Sequence, residues 1–437
     1  MSKFQIIIIG VILGLVVLAT LVLAGVIPGL PGRQRGQVVD LTMWGIFPRE
    51  QMAGAVNLLN QNHQGEFRIT YIGKDPENYQ SQVVNALAAG AGPDIWLITQ
   101  DMILKDKDKL FQIPFEVFNR RDFMDTFIDQ ASLFLSQDGF YAVPLVVDPI
   151  VLYWNKDLLR SEGLVSPPQN WDEFLNFSQA LTKTDKAGNI IQSGAAMGVA
   201  SNVNYFKDIL SLLLFQGGNK IVEEGNRAGE WDVVFGESVT GVTDPTVSAL
   251  NFYTAFSDPS RVSYSWNRAL PSSKKFFTAG KLAMYFGRAG EFKEIEAANP
   301  HLNFDVSLVP RLSSSSLYFT FGRLYGLAIS KTSTNINAAL GAAFAFTGEE
   351  ELKEIENNTM LLPGRRALLK KQPSDTALAV FYKAAVQSGG WLEPDADSVS
   401  NIFADMVESI VTGRKKISTA IRDAKKLLEA EFKSLNH

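Results

Sequence analysis

Residues Asp138 to Thr184 read DGFYAVPLVVDPIVLYWNKDLLRSEGLVSPPQNWDEFLNFSQALTKT, and this stretch decides the fold. From Val143 to Trp154 it is apolar and rich in Val, Ile and aromatics, a composition that favours a buried strand over a helix. One carboxylate, Asp148, interrupts the run. A charge inside such a segment is costly unless it is paired or faces a wetted cleft. Pro149 follows directly and has no N–H to give to a ladder, so the chain is expected to bend there. Asn155-Lys156-Asp157 opens a short helix that ends near Gly163, and Pro167-Pro168 breaks the chain. Asn170 with Glu173 forms a capping box for a helix whose inner face is Trp171, Phe174, Leu175, Ser178 and Leu181.

Upstream, the pattern alternates between two periods. Val38–Trp44 reads as a strand, Glu50–Asn60 as a helix, Phe67–Tyr71 as a strand, Tyr79–Ala89 as a helix and Ile95–Ile98 as a buried strand. Strand, helix, strand, helix, strand is the order of an α/β sheet with crossover connections. Ligands of such sheets sit outside the carboxyl ends of the strands. That rule points to Trp44 and Phe47 after the first strand, and to Gln100 and Asp101 after the third. The mixed charge run from Lys105 to Lys109 reads as a solvated face.

Downstream, Ser201–Phe215 starts with polar residues and becomes an apolar helix, stopped by Gly217-Gly218. Asn202, Asn204 and Tyr205 at its start are candidate ligands, with helix capping by the asparagines as the alternative. FFTAGKLAMYFGRAGE, from Phe276 to Glu291, gives a strand at Met284–Phe286 and a turn of Gly287, Arg288 and Gly290. Tyr325–Ile329 reads as a strand and Asn335–Phe346 as a helix. From Arg414 the tail is a helix with Ile417, Ile421, Leu428 and Phe432 on one side.

A chain of 437 residues, 46% hydrophobic and 20% charged, is long enough for two or three domain-sized units with large cores. A net charge of −5 argues against a nucleic-acid partner, which selects a basic face. There is no cysteine, so disulfides, thiolate metal sites and thiol nucleophiles are excluded. His63, His301 and His437 lie far apart in sequence, which leaves no basis for a histidine metal site or triad. No cofactor is expected, and no GxxxxGK[ST] phosphate loop occurs. Phe4–Ile27 is uncharged and almost wholly apolar, long enough to span a bilayer as a helix of about 20 residues. It exceeds the usual signal-peptide core of about 7–15 residues, so residues 1–30 are read as an uncleaved signal-anchor in preference to a cleaved signal. Residues 31–37 are read as a linker.

GFYAVPL, LYWNKDLL and PPQNWDEF, in that order, resemble the extracellular solute-binding proteins of ABC importers, of the type that binds maltose, maltodextrins and other sugars. AGAGPDIW before the third strand, FFTAGKLAM, YGLAISKTSTNINAALGAAFAFTGEEELKE and LLPGRRALL extend the resemblance from Gln37 to the C-terminus. It implies a periplasmic-binding-protein-like α/β fold: two lobes, a hinge and a ligand cleft between them. The first lobe would hold residues 37–147 and 322–347, the second 148–321 and 348–437. Asp148 would lie at the first crossing beside the hinge, where it accepts hydrogen bonds from ligand hydroxyls, pairs with the ligand if that is basic, or is satisfied by backbone N–H groups. Asp101 matches an acidic ligand position of the family, and Phe403 falls near a sugar-stacking aromatic. Two departures stand out. Ile98 sits where relatives carry an aromatic, and Arg288 takes the place of a stacking Trp. Arginine offers planar donors suited to carboxylate, phosphate or hydroxyl groups.

The resemblance implies a monomer that captures an oligosaccharide outside the cell and delivers it to ABC permease subunits. A glycerol phosphate-like solute, suggested by Arg288, and a sensor or adhesin on the same fold are the alternatives. A two-carboxylate glycoside hydrolase is the rival from another class. With 46 Asp and Glu in the chain, carboxylate pairs alone carry no weight for it.

Overall fold

The computed structural model describes residues 38–225, 229–236, 244–315, 318–371 and 373–435. It starts as the alternation predicts: β1 (Val39–Gly45), α1 (Arg49–Asn62), β2 (Phe67–Gly73), α2 (Tyr79–Ala88) and β3 (Ile95–Thr99). These strands are parallel, in the order β2-β1-β3. Every residue of β3 is buried, which accounts for its uninterrupted apolar sequence.

The decisive stretch forms β4, Val143–Asn155, whose thirteen residues are all buried. The expected bend at Pro149 is absent, and the strand runs through it. The reason lies in its partners. Up to Pro149, β4 pairs with β8 (Thr320–Ile329), and from Ile150 it pairs with β6 (Leu282–Arg288). Pro149 falls at the change of neighbours, where a missing N–H interrupts no continuous ladder. One sheet therefore has two halves. The first holds β2, β1, β3, β8 and the start of β4, and the second holds the end of β4, then β6 and β5 (Ile190–Ala195). β7 (Phe304–Ser307) pairs along the other edge of β4.

Both Asn170 and Asn155 cap helices, but the expected capping box is not closed, because the Glu173 carboxylate accepts the Gln169 N–H in place of the Asn170 N–H. Asn170 Oδ1 accepts from the Glu173 N–H at the start of α3, Trp171–Leu181. Trp171 and Phe174 pack on Phe252, Phe256 and Phe286, the aromatic core of the second half. α4 (Phe206–Gln216), α5 (Pro245–Ala255), α9 (Ala396–Val411) and α10 (Ile417–Ser434) pack on one another in that half. In sequence between β8 and α9 lie α6 (Ile336–Ala345), α7 (Glu349–Thr359) and α8 (Thr376–Val386).

Three further expectations need correction. β6 extends through Gly287 and Arg288, so the turn is confined to Ala289–Glu291. The segment after Thr347 does not pass at once to the second half: α7 packs on α1, with Asn62 donating to Glu351, and Leu362-Pro363 pair with Val147 and Val146. The chain reaches the second half with α8, where Phe381 meets Phe292 at 5.8 Å. Finally, Lys105–Lys109 is not merely a solvated face. Asp106 is buried and accepts from Gln80 at 2.6 Å, and Lys105 pairs with Asp395 at the start of α9. Among the described residues, no helix is long and apolar enough to cross a membrane. The expected signal-anchor, residues 1–30, lies outside the described residues.

Candidate functional site

The sheet brings chemistry together where its halves meet. Arg323 on β8 stands directly opposite Asp148 on β4, and Arg288 at the end of β6 stands opposite Ile150. Side chains opposite one another, or two residues apart on one strand, share a face of the sheet. Arg323, Asp148 and Arg288 therefore form one row across the junction. β3 ends beside β8, with Thr99 opposite Tyr325, and delivers Asp101 to the same place. The start of α4 closes the group from the second half with Tyr205, Lys207 and Asp208.

The geometry is that of a paired charge cluster. Arg323 Nη2 lies 3.0 Å from Asp101 Oδ2, and the Thr99 hydroxyl donates to the other carboxylate oxygen of Asp101. Burial pushes the Asp101 carboxyl up, but Arg323, Lys207, Thr99 and Arg288 outweigh it and hold the group below the usual carboxylate range. Arg288 Nη2 donates to Asp208 Oδ2 at 2.7 Å, while its guanidinium lies 4.6 Å from the Tyr205 ring centroid. Tyr205 holds a left-handed backbone, φ 59°, at the first turn of α4. Such a conformation is rare outside glycine and is kept when neighbours over-determine it. Here the ring is pinned under Arg288.

Asp148 is 7% exposed and Oδ1 accepts the Gly290 N–H at 2.9 Å. Burial raises its carboxyl to about 6, against the pull of Arg288 and the Gly290 amide. Lys207 pairs with Glu393, whose side chain is 3% exposed. Burial drives Glu393 up to about 7, with Lys207 opposing. Behind Arg288, Glu291 accepts from Tyr285 and pairs with Lys274, and Tyr153 donates to the Arg288 carbonyl at 2.8 Å.

The residues predicted from sequence fall into two groups. Asp101, Asp148, Tyr205 and Arg288 meet in this cluster. Phe47 borders it, its ring 5.2 Å from that of Tyr325. Trp44 stands at the end of the same strand as Phe47's loop and is half-buried, with the Lys74 ammonium 3.7 Å from its ring centroid. The other candidates are committed to the scaffold. Gln100 bridges the backbone of β8, donating to the Gly322 carbonyl at 2.8 Å and accepting the Leu324 N–H at 2.6 Å. Asn202 spends its amide on the Asn267 and Leu270 carbonyls and the Trp266 indole. Phe403 is fully buried against Phe235 and Trp391 and presents no face for stacking.

Sequence reading missed Arg323, Lys207, Asp208 and Glu393. Arg323 carried the signal that singled out Asp148, one charge inside an apolar strand. Lys207 and Asp208 follow Tyr205 directly and could have been found once that helix start was flagged. Glu393 sits within Trp391–Pro394, a stretch whose sequence gives no sign of an approach to Lys207.

The described residues contain no cluster able to hold a metal ion. A cavity of about 620 Å³ lies between Ile46–Arg49 after β1 and Thr70–Lys74 at the end of β2. Phe47 forms part of its wall, and none of the charged residues of the cluster lines it.

Comparison with known proteins places this architecture. A solved cyclic α-maltosyl-1,6-maltose binding protein from Arthrobacter globiformis superposes with a TM-score of 0.74 at 18% identity, covering 91% of this chain and 100% of that one. A cyclo/maltodextrin-binding protein complexed with maltotetraose gives a TM-score of 0.73 at 16% identity, covering 92% and 99%. At these identities the likeness establishes a periplasmic-binding-protein-like fold. The maltodextrin-binding protein MdxE of Bacillus subtilis (strain 168) is 22% identical over 368 residues, 79% of each chain. The family model described as bacterial extracellular solute-binding protein matches residues 55–354. The chain belongs to the bacterial extracellular solute-binding proteins, a family that binds solutes and does not transform them.

Proposed function

We propose that this protein captures a carbohydrate, of oligosaccharide size, in a cleft between two lobes. The carrying observation is the row Arg323–Asp148–Arg288 at the junction of the sheet halves, with Asp101 and Asp208 beside it and the rings of Tyr205, Tyr325 and Phe47 around it. Sugars ask for this combination: charged acceptors and donors for hydroxyls, and aromatic faces for C–H surfaces. The relatives named above, which bind maltodextrins and a cyclic maltosyl sugar, support the reading. The lobes correspond to the two halves of the sheet, with residues 349–366 counted with the first. Closure is a hinge motion about the two crossing strands. Lys105 from the first half pairs with Asp395 at the start of α9 in the second, a contact that bridges the two halves. Residues 4–27 tether the binding domain to the membrane, and the loaded protein delivers its cargo to ABC permease subunits as a monomer. The apolar length of that segment and the family membership support both steps.

The test is thermal unfolding and tryptophan fluorescence of the full chain against a panel of oligosaccharides, with a detergent that lacks a sugar headgroup. A cargo at a hundredfold excess over its dissociation constant stabilises the protein by about 2.7 kcal/mol. A flat response to every saccharide sinks the carbohydrate reading.

A further inference from the structure

Two cations of the first half have no carboxylate. Arg49, the first residue of α1, and Lys74, directly after β2, both line the cavity of about 620 Å³ at the carboxyl ends of β1 and β2. Neither has an ion-pair partner among the described residues, and the Lys74 ammonium rests over the Trp44 ring, 3.7 Å from its centroid. None of the lining residues is acidic. Asp75, next in the chain after Lys74, is turned to its own loop, where it accepts from the Glu77 N–H and the Asn78 amide. The wall is apolar at Ile46, Phe47 and Ile72, and Ile72 is 36% exposed. The two sides are braced against each other. The Tyr71 hydroxyl donates to the Phe47 carbonyl at 2.8 Å, and the Lys74 N–H donates to the Gly45 carbonyl at 2.8 Å. Gly73 permits the close approach, since a Cβ there would lie 2.8 Å from the Phe47 carbonyl oxygen. The cavity is thus a preformed, largely apolar recess whose charged groups are both positive, with a volume inside the range of small-molecule sites, about 300–1,000 Å³.

We infer that this recess is a subsite for an anionic group, a carboxylate or a sulfate ester, at one end of the cargo, so that the saccharide proposed above is an acidic one. The inference rests on that carbohydrate reading. Position allows it: in the order β2-β1-β3-β8-β4, β1 lies three strands from the strand of Asp148, about 14 Å at about 4.8 Å per strand. An oligosaccharide covers that span and a monosaccharide does not. The charged cluster is a poor place for an anion, because its cations are committed: Arg323 to Asp101, Arg288 to Asp208 and Lys207 to Glu393. Freeing one of them strands a buried carboxylate, the expensive way to break a buried pair. In the recess an anion displaces only water from Arg49 and Lys74. The apolar wall screens the resulting pairs less than open solvent does, and it offers Phe47 and Ile72 to the C–H face of a sugar ring.

The experiment is isothermal titration of the full chain, wild type and the double variant Arg49→Gln with Lys74→Gln, at low and high salt. The ligands are trigalacturonate and its methyl ester, a sulfated carrageenan tetrasaccharide and its desulfated form, and maltotetraose. In the wild type at low salt, at least one acidic sugar should bind at least tenfold more tightly than its neutral counterpart and than maltotetraose; which one does so names the group as carboxylate or sulfate. The advantage should shrink at high salt, because both cations reach solvent. In the double variant the ratio of acidic to neutral affinity should fall at least tenfold. Neither side chain is buried, so these substitutions leave the core untouched. Neutral sugars that match or beat every acidic one in the wild type overturn the inference and leave the carbohydrate reading standing. A ratio unmoved in the folded double variant overturns it as well, by putting the anion elsewhere. If no saccharide of either charge binds, the carbohydrate reading falls and this inference falls with it.

Discussion

Replacing Asp148 by Asn should make the empty protein more stable at neutral pH while it disables the site. The carboxyl titrates near 3.8 when exposed and at about 6 in the fold, because burial disfavours its charged form. The folded state therefore binds a proton more tightly than the unfolded chain between those two values. Where the native state holds more protons, stability falls as pH rises. The interval is worth about 3 kcal/mol, at about 1.4 kcal/mol per pH unit. Well below pH 3.8 Asp148 is neutral in both states and costs nothing electrostatically. Above pH 6 it is charged in both and the full penalty stands. Asn is neutral throughout and nearly isosteric, and its carbonyl oxygen can still accept the Gly290 N–H that now reaches Oδ1. Urea unfolding at pH 4 and pH 7.5, wild type against variant and without cargo, measures the effect. The variant should gain about 2–3 kcal/mol on the wild type at pH 7.5 and little at pH 4. A variant that is less stable at pH 7.5, or a gain that does not change with pH, refutes the argument that burial dominates this carboxylate. Stability gained and binding lost together would mark Asp148 as a group kept for function at the expense of the fold.

Lys207→Met removes the cation beside Glu393 and should destabilise by about 1 kcal/mol at pH 8, because a carboxyl raised to about 7 beside Lys207 escapes any larger cost by taking up a proton. The loss should shrink toward pH 5.5, because Glu393, already raised to about 7 by burial, takes up a proton; chemical unfolding at the two pH values checks this. Asp395→Ala should cost about 1 kcal/mol, since Asp395 caps α9 by accepting the Ser398 N–H, whereas Lys105→Ala, which loses only a half-exposed pair, should cost less; equal losses in denaturant melts would show that the pair, not the cap, matters. Tyr153→Phe should lose about 1 kcal/mol by taking the hydroxyl from the Arg288 carbonyl, and an unchanged unfolding midpoint would argue against that hydrogen bond.

Most of the fold is legible in the sequence because its signals are local. The parallel strands of the first half announce themselves by period, and Asn155 and Asn170 announce two helix starts by their side chains. Pro149 shows where local rules fail. A proline forbids a ladder bond, but whether one is needed depends on which strand lies alongside, and that neighbour changes at this residue. The same limit governs the site. Asp148 and Asp101 could be found because a charge in an apolar run, or at a strand's carboxyl end, is anomalous by itself. What they do depends on partners distant in the chain: Arg323 lies 222 residues from Asp101, and the Gly290 amide 142 residues from Asp148. Asn202 and Gln100 went the other way. Each is a plausible ligand by type and position, and each turns out to spend its amide on the protein's own backbone carbonyls and N–H groups. Residue type says that a side chain must be satisfied; only the packing says by what. The carboxylate that the packing leaves half satisfied, Asp148, is therefore where a ligand is to be sought.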